Sequence, residues 1–142
     1  MKASRSLDFL VVVERSAFAR WILWLVTKLD EETGGRASLM LVEPAGEVYS
    51  ALPTLLTLEN MLVRGNKPCG ADRLGRDALV GQYEKPAGLR PDVVIDLTEN
   101  GTDIDPQTVL LRPIYNDCAG EGAMASALFF RGTPEIAIEK KG

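Results

Sequence analysis

Apolar positions follow two rhythms along this chain. Leu7–Glu14 (LDFLVVVE) is a short, continuous, β-branched run. Such a run predicts a strand buried on both faces, as in a parallel sheet. Beyond it Ser16 is placed to cap a helix over Ala17–Thr33. There Phe18, Trp21, Ile22, Leu25, Val26 and Leu29 recur every three or four residues and form one stripe. Gly34-Gly35 ends that helix. Trp21 belongs to the core, while Trp24 sits at the stripe's edge, where it can cover a neighbouring domain. Ala37–Glu43 predicts a second strand, closed by Pro44 and Gly46. Pro53 suits the first turn of a second helix, with Leu55, Leu58, Met61 and Leu62 as its stripe and Gly65 as its stop.

Asn66–Gly88 carries Pro68, Gly70, Gly75, Gly81 and Pro86, and its pattern is the hardest to read. A stretch of that length rarely lacks structure in a compact domain, so one short element is expected at Asp77–Tyr83. Pro91–Thr98 (PDVVIDLT) predicts a third strand, closed by a turn at Glu99-Asn100-Gly101. Thr108–Ile114 predicts a fourth, limited by Pro113, which has no N–H to donate. Ala119–Arg131 has the pattern of an amphipathic helix, with Met124, Ala127 and Leu128 on its apolar side. Glu135–Lys140 alternates and predicts a last strand with one wet face. Strands alternating with helices define an α/β protein: a mainly parallel sheet of five or six strands with helices on both faces. The first strand is expected at the centre, between the second and Pro91–Thr98. The last is expected at or near an edge.

At 142 residues with 46% apolar composition, the chain fits one domain over residues 1–142. It stops directly behind the last predicted strand, which favours a domain cut from a longer protein. Twenty acidic against 16 basic residues give a net charge of −4, which argues against a nucleic-acid partner. The absence of histidine removes every mechanism that needs an imidazole base or ligand from this chain. Cys69 and Cys118 show no zinc spacing and read as free thiols in a reducing, cytoplasmic setting. The apolar run near the N-terminus is interrupted by Asp8 and Glu14-Arg15, unlike a signal peptide. Trp21–Thr27 is far shorter than the ~20 residues that a bilayer demands.

Several chemical motifs are missing. The first strand-to-helix turn reads VVVERSAFARW, without the GxGxxG that lets a backbone approach a pyrophosphate, and no P-loop occurs. Glu14, Glu43, Asp96 and Lys140 form only part of the set that a phospho-accepting receiver domain would require. Asp103, Asp105 and Asp117 match no calcium loop. No cofactor and no metal is expected.

Four segments carry a family resemblance. They are LDFLVVVERSAFARWILWLV, SALPTLLTLENMLVRG, PDVVIDLTENG and TVLLRPIYNDCAGEGAMASALFFRGTPEIAIEKK. Together they resemble a degenerate branch of the formyltransferase-like domains. The resemblance implies a three-layer, Rossmann-like fold, often joined to a downstream glycosyltransferase-type domain. Active members carry Asn-x-His-Pro-Ser after the strand similar to TVLLRPI. This chain has Arg112-Pro113-Ile114-Tyr115-Asn116 there, and no histidine to manage the protons of formyl transfer. The expectation is therefore a binding or docking domain without that activity.

The partners expected are a downstream domain, a second copy of the chain or a polar small molecule, with neither nucleic acid nor membrane. The alternative is a small-molecule domain for a sugar nucleotide or anion, or a histidine-free enzyme working through Glu14, Asp96 and Arg112 in one cleft. A degenerate receiver domain is the weaker reading. Ligands of open α/β sheets bind beyond the carboxyl ends of the strands. The residues expected to line such a site are Arg15, Ser16, Asp96, Thr98 and Asn100, with the free N–H groups of the first helix pointing into it.

Overall fold

The computed structural model describes residues 6–15, 18–43, 58, 61–65, 67–68, 70, 72–79, 82–103, 105, 107–115, 118–119, 132 and 135–140. Strand β1 (Phe9–Glu14) leads to helix α1 (Arg20–Thr33) and strand β2 (Ala37–Val42). A 3-10 turn at Arg76–Leu79 precedes β3 (Val93–Asp96), β4 (Val109–Tyr115), the two-residue β5 (Cys118–Ala119) and β6 (Glu135–Lys140). Residues 58 and 61–63 are helical, inside the second predicted helix.

The chain is α/β. Four strands run parallel in the order β2-β1-β3-β4, with Val11 between Leu39 and Ile95. The parallel part thus counts four strands rather than five or six. The sheet reaches six through β5 and β6, both antiparallel to β4. β1 is central, as its unbroken apolar run requires, and β6 pairs with β4 alone among the described residues. Ala119 belongs to β5 instead of opening a helix, and the rest of Ala119–Arg131 lies outside the described residues.

Alternate residues of β1 build two cores, because successive side chains leave opposite faces of a strand. On one face Val11 and Val13 pack with Leu39, Leu97 and the stripe Phe18, Ile22 and Val26 of α1. Trp21, Leu23 and Leu29 join that cluster, and Leu23 takes the place expected of Leu25. Phe18 and Ile22 are fully buried, each worth about 2–3 kcal/mol in the transfer of apolar surface from water. On the other face Leu10, Val12, Val94 and Leu110 form a second buried cluster. Trp24 stays 54% exposed, with Gly70 packed against its ring.

Helix α1 starts at Arg20, three residues later than its pattern predicts. Ala19 pairs with Arg73 across an antiparallel bridge, and the Leu74 N–H donates to the Phe18 carbonyl at 2.9 Å. These bonds hold residues 18–19 extended, and Ala19 is the N-cap without a side-chain cap. Ser16, expected to cap the helix, lies outside the described residues. At the other end Gly34 takes a left-handed conformation (φ 70°), and the N–H groups of Gly34 and Gly35 both reach the Asp30 carbonyl.

The 66–88 stretch contributes a further edge pairing. The Leu39 N–H donates to the Tyr83 carbonyl, and the Lys85 N–H donates to the Leu39 carbonyl at 3.2 Å. The parallel bridge Leu39–Glu84 therefore covers part of the outer edge of β2.

Candidate binding cleft

From β1 the sheet extends to β2 on one side and to β3 on the other. The strand order therefore reverses between β1 and β3, the place where the sequence puts the ligand, whereas the Asp96–Arg112 cleft lies between the end of β3 and β4. Glu14 closes β1 at its carboxyl end. It is buried, and its Oε1 accepts from the Glu99 N–H at 3.4 Å.

Asp96 closes β3 and is 0% exposed. Its Oδ1 accepts from the Thr98 N–H at 2.9 Å and from the Thr98 hydroxyl at 2.6 Å. Its Oδ2 accepts from the Thr102 N–H at 3.1 Å. One carboxylate thereby ties Thr98 and Thr102 to the end of β3. Arg112 stands beside it on β4, with Nε 3.4 Å from Asp96 Oδ2. Its side chain is 18% exposed, and neither Nε nor Nη2 makes a hydrogen bond.

Gly101 makes this proximity possible. Its φ of +80° suits glycine, and a Cβ at this position would lie 2.6 Å from Arg112 Nη2. The guanidinium therefore lies close over the backbone of the loop. A cleft of about 270 Å³ opens here, lined by Asp96, Asn100, Gly101, Thr102, Asp103 and Arg112.

Two of the five residues expected from sequence, Asp96 and Asn100, line this cleft. Thr98 is buried and spends its hydroxyl on Asp96. Ser16 lies outside the described residues. Arg15 lines a different cleft, of about 410 Å³, along the outer edge of β2, and its Nη2 is 2.9 Å from Glu43 Oε1.

The helix N-terminus does not supply the free donors expected of it. The Arg20 and Trp21 N–H groups bond to the carbonyls of Asp72 and Gly70, both at 2.9 Å, and the Ile22 N–H bonds to Ala19. The Gly70 and Asp72 carbonyls have taken the place of an anion. Among the described residues, Glu14 does not line the Asp96–Arg112 cleft.

Sequence reasoning missed the lining contributed by Gly101, Thr102 and Asp103. The Asn100-Gly101 turn was the available signal, since it lets the chain fold back over the end of β3. Arg112 was visible as a cation inside an apolar strand, without its position level with Asp96.

The cleft offers Asn100 and Asp103 at its rim and the Arg112 guanidinium at its wall. Donors and acceptors thus stand side by side, which suits hydroxyl, carbonyl or carboxylate groups. Asp96 is committed to three donors and a neighbouring cation, so it holds the loop. Among the described residues no three potential metal ligands cluster, and no helix is long and apolar enough to cross a membrane. Comparison with protein families, with curated proteins and with solved structures finds no match for this chain.

Proposed function

We propose that this chain is a non-catalytic, formyltransferase-like binding domain of three-layer, Rossmann-like build, working in the cytoplasm. It takes a small polar molecule, such as a sugar nucleotide, in the Asp96–Arg112 cleft. A downstream domain or a second copy of the chain is its expected neighbour. The observation that carries the reading is the state of Asp96. A fully buried carboxylate with three donors on it and a cation alongside is taken up in holding the loop after β3, which leaves Arg112 and the loop to meet a ligand.

The histidine-free enzyme loses support because its third member, Glu14, bonds to the Glu99 N–H away from the cleft lining. A receiver-type role loses support because a phospho-accepting Asp must be reachable, whereas Asp96 is enclosed. The test is turnover and binding on one preparation. No formyl transfer from a reduced formyl-folate to any amine is expected, while sugar nucleotides give saturable amide shifts at Asn100 and Gly101 that Arg112→Met abolishes. Folate-dependent turnover, or binding indifferent to Arg112→Met, overturns the proposal.

A further inference from the structure

We infer that the cleft along the outer edge of β2 is a separate site for a phosphate-bearing small molecule, held by Arg15, Arg76 and Lys85. At about 410 Å³ it lies in the size range of small-ligand pockets. In a chain of net charge −4 it gathers three cations, with Glu84 the one acid among its lining residues.

Two of the cations have loose partners. Arg15 pairs with Glu43, and Arg76 pairs with Glu84 at 3.2 Å; all four side chains are about half exposed or more. Exposed pairs of this kind contribute little, so a better anion displaces the carboxylates readily. Lys85 has no ion-pair partner among the described residues. A phosphate group is that better anion. It brings close to two charges and three acceptor oxygens, which the planar forks of two arginines match.

The backbone adds a donor. Leu39 turns its N–H and carbonyl outward, to Tyr83 and Lys85. Strand alternation puts the Leu41 N–H on that same edge, past the last pairing at Lys85, and Leu41 lines the cleft.

The organic part of the ligand also has a place. Lys85 and Met40 line a neighbouring cleft of about 200 Å³ as well, where Leu10, Val12 and Val94 form an apolar floor and Asp103 and Asp105 an acidic part. A phosphate held by Lys85 therefore sits beside an apolar floor, and the ligand class is a phosphate ester or diphosphate with a flat or apolar group.

The experiment follows backbone amide shifts of the whole chain against inorganic pyrophosphate, and separately against adenosine diphosphate. Pyrophosphate is expected to shift Arg15, Leu41, Arg76 and Lys85 saturably. Adenosine diphosphate is expected to shift Leu10 and Val94 too. Arg76→Gln with Lys85→Gln should weaken both by roughly tenfold or more at an unchanged urea midpoint. Lys85→Arg should retain binding. No saturable shift by ~10 mM overturns the inference, as does affinity indifferent to the double substitution. Adenosine diphosphate shifts confined to the cations overturn the assignment of the apolar floor. Shifts confined to Asn100, Gly101 and Arg112 overturn this second site while leaving the Asp96–Arg112 reading intact.

Discussion

Replacing Asp96 by alanine tests the loop at the end of β3 at its anchor. The change leaves the Thr98 and Thr102 N–H groups without their acceptor, at sites now bonded at 2.9 and 3.1 Å. Each buried N–H orphaned in this way costs about 1–3 kcal/mol. It also removes the charge facing Arg112, and stripping one partner from a buried pair costs about 3–5 kcal/mol. The two penalties overlap, because the loop relaxes once, so the expected loss is about 4 kcal/mol.

Arg112→Met acts on the same pair from the other side and should cost less, about 1–2 kcal/mol, because Asp96 keeps its three donors. Neither Nε nor Nη2 of Arg112 gives up a hydrogen bond in that exchange. Urea unfolding of the two variants and of the double variant measures both values and their coupling. A domain of ordinary stability, about 5–15 kcal/mol, leaves the alanine variant measurable in the cold. A loss below about 1 kcal/mol for Asp96→Ala, or equal losses for the two single variants, refutes the scaffold role.

Three further outcomes are expected. Gly101→Ala places a Cβ 2.6 Å from Arg112 Nη2 at a φ of +80°; it should cost about 1–3 kcal/mol and move the Arg112 Nε–H resonance. Ile22→Ala empties a fully buried position of the α1 stripe and should cost about 2–5 kcal/mol in the same unfolding assay. Lys28 has its pKa raised above 10.5, first by the hydrogen bond to Glu32 and then by that to Glu31. The raised value means that these pairs help at neutral pH and are lost as pH climbs through the Lys28 titration. Glu32→Gln should lower the Lys28 midpoint in an NMR titration.

Local pattern located the strands because burial on both faces leaves a continuous apolar run, as in LDFLVVVE. It overran the start of α1 because the cause lies far along the chain. Nothing between Ser16 and Arg20 announces that residues 18–19 pair with 73–74. The same distance in sequence hid the second cleft, where Arg15 meets Arg76 and Lys85. It also explains why the helix N-terminus is no anion site, since its donors meet carbonyls from residues 70 and 72. Asp96 and Asn100 were legible, because the end of a central parallel strand is where the fold opens. The lining at Gly101–Asp103 depends on a loop folding back under the direction of one carboxylate, which pattern does not encode.

The central claim is that the carboxyl-end cleft of β3 and β4 binds a small polar molecule without turning it over. Amide-shift mapping during titration with sugar nucleotides, folates and simple phosphates tests it most directly. The account predicts saturable shifts with at least one sugar nucleotide at five lining residues, Asn100, Gly101, Thr102, Asp103 and Arg112, of which Asn100, Gly101 and Arg112 report this cleft alone. Shifts that gather on Glu135–Lys140 while those five residues stay silent would contradict it.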